Sequence, residues 1–240
     1  MVGTDGSAAR QVTLERDSSV SLGVPIWSPE GSQIVFIRAD PTNTAEWLVN
    51  ADGSGLRMLL PQGASAAWSL DGKWIYYSRT QNNASCISRI PAGGGAPLDV
   101  RCDDGLSPAR PARTPALYYA RWPKAGATSS DWEVRKADQE TGPSRVLARI
   151  AASRVPFDPI LMQVVLSPDE KTLATPLTDR GTTNLWLLPA DGGPMRQITD
   201  FGKRSILITR RISWSPDSKY LYAAVNESDA DVVLFDGLLR

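Results

Sequence analysis

The chain has 240 residues, with 26 Lys and Arg against 26 Asp and Glu, and it contains no histidine. The zero net charge gives no electrostatic reason to expect nucleic acid or an anionic membrane as a partner. The lack of histidine excludes Ser-His-Asp and Cys-His catalysis and His-ligated zinc or haem within this chain, and two cysteines do not make a four-ligand thiolate site.

Two short motifs recur along the chain, and each joins two runs of alternating apolar and polar residues. The first is "WSPEG" at 27–31, which returns as "WSLDG" at 68–72, "LSPDE" at 166–170 and "WSPDS" at 214–218. The second is "GTDGSAARQVT" at 3–13, which returns at 50–60 and 189–199 and, in weaker form, at 91–100 and 136–147. Because Gly tolerates positive φ and Asp caps its own turn, both motifs predict hairpins between β-strands.

Each repeat is therefore predicted to contain four strands, A to D, with the first motif between A and B and the second between C and D. The aligned positions in strand B are Ile34, Ile75, Leu117, Leu173 and Leu221, which lie 41, 42, 56 and 48 residues apart. Strand C is predicted at 45–50, 84–90, 131–137, 183–189 and 231–236. This repeat length is typical of a propeller blade, and no stretch has sustained helical periodicity. We predict an all-β propeller of four-stranded antiparallel blades.

The two ends of the chain bear on the number of blades. A single domain over 1–240 would hold blades at about 22–61, 64–102, 106–150, 160–200 and 209–240. The fifth blade lacks a strand D, whereas the chain begins with one, from Arg10 to about Glu15. The N-terminal strand is therefore predicted to complete the last of five blades and remove an exposed edge. The alternative is a section of a six- to eight-bladed ring with a truncated start.

The paired signatures Trp-Ser-Pro-Asp-Gly and Ala-Asp-Gly-Ser/Gly…Arg-Gln-Ile/Val-Thr resemble the TolB-like β-propeller repeats. The resemblance covers nearly the whole chain and is weakest over 103–160. It implies a bacterial WD40-like repeat propeller, of the kind found in the periplasmic TolB protein or fused to serine/threonine kinases, winged-helix regulators and prolyl oligopeptidase family enzymes. The matched residues belong to turns and core, so the resemblance implies a fold more than a function.

The recurring residues have structural interpretations. Trp27, Trp68 and Trp214 share one position and are predicted to wedge between blades rather than to stack on a ligand. Turn chemistry explains Asp52-Gly53 and Asp191-Gly192, so no metal site is predicted there. No catalytic residue and no cofactor is predicted, since the sequence has neither a phosphate-binding loop nor a Gly-x-Ser-x-Gly nucleophile elbow.

Cys86 and Cys102 fall on strands C and D of one predicted blade. They face each other only if the connecting turn is centred on Gly94, whereas the repeat alignment centres it nearer Gly93. Two free thiols are therefore expected, with a disulfide as the alternative.

In a four-stranded blade, the A–B and C–D turns lie on one face and the B–C and D–A links on the other. We call these the turn face and the loop face. The loop-face links are predicted to be the longer and more varied set: 38–45, 79–84, 121–131, 178–184 and 226–231, with 16–21, 151–159 and 201–210. Irregular loops on a rigid scaffold often carry recognition, so the loop face is the predicted binding face.

Arginines are the candidate binding residues of this face. Arg38, Arg79 and Arg121 share the exit of strand B in three consecutive blades, and guanidinium groups there would bind carboxylates or phosphates. The alternative is that each pairs with a nearby acid, such as Asp40. A second basic cluster with the same two interpretations contains Arg204, Arg210 and Arg211.

These patterns predict a non-catalytic interaction or sensory module that presents its loop face to a protein or peptide. The alternatives are the propeller portion of a larger peptidase or kinase, a periplasmic TolB-type envelope protein, and a self-contained lyase or sugar-binding propeller. No signal peptide and no membrane-spanning run occurs, so the chain as given is expected to be soluble and cytoplasmic, or periplasmic if its start is truncated. The partner's identity and the oligomeric state stay open.

Overall fold

The architecture is seen in a computed structural model, which describes residues 9–62, 64–82, 84–123, 130–155, 162–208 and 212–227. Four antiparallel four-stranded sheets follow one another along the chain. Blade 1 contains β1 (Ser21–Trp27), β2 (Gln33–Ala39), β3 (Thr44–Asn50) and β4 (Arg57–Leu60). Blade 2 contains β5 (Ala64–Trp68), β6 (Trp74–Gln81), β7 (Ala84–Pro91) and β8 (Leu98–Arg101).

Blade 3 contains β9 (Gly105–Ala109), β10 (Leu117–Arg121), β11 (Trp132–Ala137) and β12 (Ser144–Ile150). A single 3-10 turn (Ala152–Arg154) follows it. Blade 4 contains β13 (Val165–Leu166), β14 (Thr172–Asp179), β15 (Thr182–Pro189) and β16 (Arg196–Gln197). Among the residues described, no helix has the length and hydropathy needed to cross a membrane.

A fifth unit consists of two short strand pairs. β17 (Ile206–Leu207) pairs with β20 (Asn226–Glu227), and β18 (Ser213–Trp214) pairs with β19 (Leu221–Tyr222). Trp214 lies opposite Leu221, as Trp27 lies opposite Ile34 in blade 1, so the two pairs correspond to strands A and B of the repeat. The predicted strand C at 231–236 lies outside the described residues.

The innermost strands of successive blades contact one another. β5 contacts both β1 and β9, and β13 contacts both β9 and β18. The apolar cores lie between blades because each sheet buries both of its faces. One core joins blades 1 and 2 through Val35, Trp68 and Tyr77, and another joins blades 3 and 4 through Tyr118 and Leu173. This radial arrangement confirms the predicted β-propeller.

The recurring tryptophan links neighbouring blades in two places. Trp68 is 7% exposed, and its indole N–H donates to the Ile26 carbonyl of blade 1 at 3.3 Å. Trp214 donates in the same way to the Val165 carbonyl of blade 4 at 3.2 Å. Trp27 is 43% exposed, so its packing differs from that of Trp68.

The N-terminal segment differs from its prediction, because the structure assigns no strand between residues 9 and 20. The segment nevertheless lies along blade 1. Arg10 donates to the carbonyls of Ala51, at 2.5 Å, and Asp52, at 3.4 Å, and Val12 packs against the core of that blade. Its pairing with 231–236, the single domain over 1–240 and the blade limits stay predictions.

Two loop-face links are shorter than predicted. Only two residues separate β6, which ends at Gln81, from β7, which begins at Ala84. β14 and β15 are likewise joined by Arg180 and Gly181 alone, with φ of 50° and 85°. Positive φ at both central residues is typical of tight two-residue hairpins, so the contrast in loop length between the faces is wrong in blades 2 and 4.

Candidate functional site

An open cleft of about 240 Å³ lies where the N-terminal segment meets blade 1. Its lining is mainly apolar, with one ion pair: Thr13, Leu14, Glu15, Leu22, Phe36, Arg38, Trp47 and Leu56. Leu14, Leu22 and Leu56 are 67%, 40% and 50% exposed. The cleft is smaller than most drug-sized ligand pockets, and its volume suits one or two side chains of a partner.

Arg38 is the charged group of this cleft and one of the predicted binding residues. Its Nε contacts Glu15 Oε2 at 2.9 Å, its Nη1 lies 3.4 Å from Asp40 Oδ2, and its guanidinium sits 5.6 Å from the ring centre of Trp47. The backbone N–H of Asp17, followed by the Arg38 side chain, holds the pKa of Glu15 below its usual range. Glu15 is therefore ionised near neutral pH and forms the ion pair with Arg38.

Arg79 occupies the matching position of blade 2. It forms an ion pair with Asp99 and donates to Gln81 Oε1 at 3.0 Å. Asp99 also accepts the Ser88 hydroxyl at 2.8 Å, and this hydrogen bond is the main reason that its pKa is lowered. The side chains of Arg79 and Asp99 are 37% and 44% exposed, so a partner carboxylate can replace Asp99 at little cost.

Arg121 has a different environment at the matching position of blade 3. It forms an ion pair with Glu133 at 2.5 Å, and the same carboxylate pairs with Arg135 at 2.5 Å and with Arg149 at 2.8 Å. Burial alone would raise the pKa of Glu133, but the hydrogen bond from Arg135 and the charge of Arg121 hold it below its usual range. Because Glu133 is 8% exposed, this cluster is a structural junction of blade 3.

The second basic cluster is only partly visible. Arg210 and Arg211 lie outside the described residues. Arg204 forms an exposed ion pair with Glu227, whose partner strand is β17.

The Asp-Gly turns lie on the opposite, turn face, where sequence reasoning missed a contact between blades. An arginine that follows the Asp-Gly motif reaches a backbone carbonyl in the next C–D turn: Arg10 of the N-terminal segment to Ala51, Arg57 to Ala92 at 2.8 Å, and Arg145 to Asp191 at 3.2 Å. The sequence could have indicated this contact, because the arginine belongs to the repeated Ala-Asp-Gly…Arg signature.

Asp52-Gly53 and Asp191-Gly192 serve these turns. Asp52 accepts the amide and hydroxyl of Ser54, at 2.8 and 2.6 Å. Gly53 has φ of 92°, and a Cβ there would lie 2.9 Å from the Val12 carbonyl oxygen. Asp191 accepts from Lys136 of blade 3 at 2.9 Å. Turn geometry and blade contacts therefore account for these residues. No acidic cluster of metal-site type occurs in the described ranges.

Cys86 and Cys102 form a disulfide, with their Cα atoms 4.0 Å apart, so the expectation of two free thiols is wrong. A β-bulge after Ile87 adds one residue, Val100, to strand β8. The extra residue moves the register by one and places Cys102 opposite Cys86. The turn alone did not contain this information.

Solved structures share this architecture, whereas no family model matches the chain. TolB from Acinetobacter baumannii matches with a TM-score of 0.68 and 17% identity, over 92% of this chain and 52% of that one. A TolB-type protein from Agrobacterium tumefaciens matches with a TM-score of 0.57 and 13% identity, over 88% and 91%. A prolyl endopeptidase matches with a TM-score of 0.57 and 14% identity, over 86% and 32%.

The chain spans about half the length of the Acinetobacter baumannii protein and about a third of the endopeptidase. Identities this low are informative about the fold alone. The repeated blades and these likenesses agree on one conclusion. The chain has a β-propeller fold of the TolB-like type.

Proposed function

We propose that this chain is a non-catalytic recognition module that binds a protein or peptide segment on its loop face. The observation that carries the proposal is the cleft of about 240 Å³, where exposed leucines surround the Arg38–Glu15 ion pair. Its size and apolar lining suit a side chain of a partner. Arg79, on the adjacent blade, offers a guanidinium whose present ion pair is exposed on both sides.

The partner segment would place an apolar side chain in the cleft and carboxylates near Arg38 and Arg79. The three arginines then have unequal roles. Arg79 is the most available for binding a partner carboxylate, whereas Arg38 would have to give up its ion pair with Glu15. Arg121 has a structural role in blade 3, because its partner Glu133 is shared by three guanidinium groups.

A second candidate function is the propeller portion of a larger enzyme. It is favoured by the likeness to a prolyl endopeptidase of which this chain covers 32%. In that case the same loop face would contact a catalytic domain rather than a separate partner. Reading the coding sequence on both sides of the chain distinguishes the two, since a hydrolase or kinase domain there would favour the second.

The disulfide also supports a proposal on location. Disulfides persist in oxidising compartments and are rare in the bacterial cytoplasm. We expect the chain to work outside the cytoplasm. Alkylation of thiols in intact cells tests this, since the expected result is that Cys86 and Cys102 resist alkylation until a reductant is added.

A phage-displayed library of random twelve-residue peptides tests the recognition proposal. We expect enriched peptides to combine acidic and apolar residues, and their affinity to fall at least tenfold for Arg79→Glu and for Leu56→Asp. Lys219→Glu, a matched charge reversal on the turn face, should leave affinity within twofold. Unchanged affinity in both the Arg79→Glu and the Leu56→Asp variants would overturn the proposal.

A further inference from the structure

The disulfide lies beside the loop-face arginine of blade 2. Cys86 is directly opposite Arg79 in the β6–β7 ladder, and Cys102 follows strand β8. The same strand carries Asp99, which pairs with Arg79 and accepts the Ser88 hydroxyl at 2.8 Å. The disulfide and the ion pair therefore hold the same outermost strand.

Strand β8 has few other anchors. It has four residues, of which Val100 alone is buried, whereas the equally short β4 buries Leu59 and Leu60. The Arg79–Asp99 ion pair is exposed on both sides and adds little. A cross-link restricts the conformational freedom of the segment that it closes, and the two cysteines are 16 positions apart in sequence. The disulfide is therefore a principal restraint on this strand.

One residue, Arg101, would keep the loosened strand near its place. Arg101, the last residue of β8, pairs with Asp103 at 3.0 Å and donates to the Glu140 carbonyl of blade 3 at 3.2 Å. Its guanidinium also lies 4.5 Å from the ring centre of Tyr119. Because Arg101 lies between Asp99 and Cys102, these contacts would keep β8 on blade 2 when the disulfide is broken, so reduction would loosen the strand without detaching it.

The two cysteine residues differ in exposure. Cys102 is exposed, whereas Cys86 is fully buried. A dithiol reductant would attack Cys102 Sγ as a thiolate, break the S–S bond and release Cys86 as a thiolate that takes up a proton. The second thiol of the reductant would then displace Cys102, which leaves the reductant as a disulfide and both cysteines as thiols.

We propose that the Cys86–Cys102 disulfide is a redox switch for the loop face: oxidised, it fixes Asp99 against Arg79, and reduction by a dithiol releases Arg79 to an acidic partner. The proposal rests on the recognition function proposed above, which it provides with a means of regulation. It depends on the coincidence of an exposed cysteine, a strand with one buried residue and an exposed ion pair in one blade.

Two measurements on the full chain test the switch, each with and without dithiothreitol. The first is amide hydrogen exchange in β8, which should accelerate at least tenfold on reduction, while exchange in β4, a strand of equal length without a disulfide, stays unchanged. The second is affinity for a synthetic octapeptide of alternating Glu and Leu, which should rise three- to tenfold on reduction. The Cys86→Ser/Cys102→Ser variant should reproduce the reduced behaviour.

Asp99→Asn separates the switch from the site, because it removes the competing carboxylate and keeps the disulfide. It should bind the peptide as tightly as the reduced protein and lose the redox dependence. Unchanged exchange in β8, or a redox dependence that persists in Asp99→Asn, would overturn the switch and leave the recognition function standing. Faster exchange in β8 without peptide binding by any form would support the redox loosening and overturn the recognition function.

Discussion

At the residue scale, the repeated signature encodes contacts between blades as well as turns. The arginine after the Ala-Asp-Gly turn crosses to the next blade, as Arg57 does to the Ala92 carbonyl. The serine of the other motif organises its own turn, since Ser69 Oγ donates to Asp71 at 2.5 Å and accepts the Trp74 amide at 3.0 Å. Three copies of the motif, those with Arg10, Arg57 and Arg145, therefore carry a link to a neighbouring turn as well as hairpin chemistry.

Truncation of the crossing arginine should weaken one blade junction. We expect Arg57→Ala to lower the free energy of unfolding by about 1 kcal/mol, because the Ala92 carbonyl loses a charged donor. Arg16→Ala, at an exposed site, should change it by less than about 0.5 kcal/mol. Urea denaturation measures both, and equal losses would contradict the assigned contact.

The turn aspartates should make stability depend on pH. The Ser167 hydroxyl and the Lys171 amide hold the pKa of Asp169 below its usual range. A carboxyl whose pKa is lower in the folded than in the unfolded state stabilises the fold at pH values above its unfolded-state pKa, which is about 4. This stabilisation is lost as the pH falls through the folded-state pKa.

The matching experiment compares Asp169→Asn with the wild type at two pH values. The variant should be about 0.5 kcal/mol less stable at pH 7, a small value because the half-buried carboxylate is still screened by solvent. The gap should narrow as the pH falls below about 4, because the carboxyl becomes protonated and loses its charge. A gap of the same size at both pH values would show that Asp169 acts through something other than its charge.

At the element scale, blades 2 and 3 are joined by a charged junction around Glu140. Its carboxylate accepts the Tyr76 hydroxyl at 2.7 Å, Arg89 at 2.7 Å and Arg110 at 2.8 Å, and it is 14% exposed. Burial, with Glu140 adding to it, raises the pKa of Tyr76 to about 12, so the phenol stays a donor. The C–D turn of blade 3 is thereby fixed to blade 2.

Neutralising this carboxylate should be costly. We expect Glu140→Gln to lower the free energy of unfolding by about 2 kcal/mol, because two partly buried guanidinium groups lose their counter-charge. Glu227→Gln, which changes an exposed pair with Arg204, should have a much smaller effect on the free energy of unfolding. Thermal and urea unfolding compare the two, and a loss at Glu140 no greater than at Glu227 would refute the junction.

The strands and their order were predictable because they follow from local alternation and turn residues. The strand predicted at 84–90 is observed as Ala84–Pro91. The disulfide was not predictable in this way, since it depends on a β-bulge that no turn motif specifies. Nor was the pairing of Arg121, because Glu133 becomes its neighbour only through the register of β10 against β11. Site chemistry thus depended on register, which the repeat alignment leaves undetermined.

At the scale of the whole molecule, the two faces of the propeller have separate tasks. The turn face carries the contacts that join blades, such as those of Arg57 and Glu140. The loop face carries Arg38, which lines the cleft, and the exposed Arg79 pair. A partner that binds the loop face can therefore exchange surface ion pairs without opening the junctions that hold the blades together.

Hydrogen–deuterium exchange with and without a peptide selected from the displayed library tests recognition by the loop face most directly. Binding should slow exchange in residues 13–22 and 36–47, around the cleft, and in 79–82. It should leave the turn-face segments 51–54 and 69–73 unchanged. Protection confined to the turn-face segments, with none around the cleft or Arg79, would contradict the proposed binding surface.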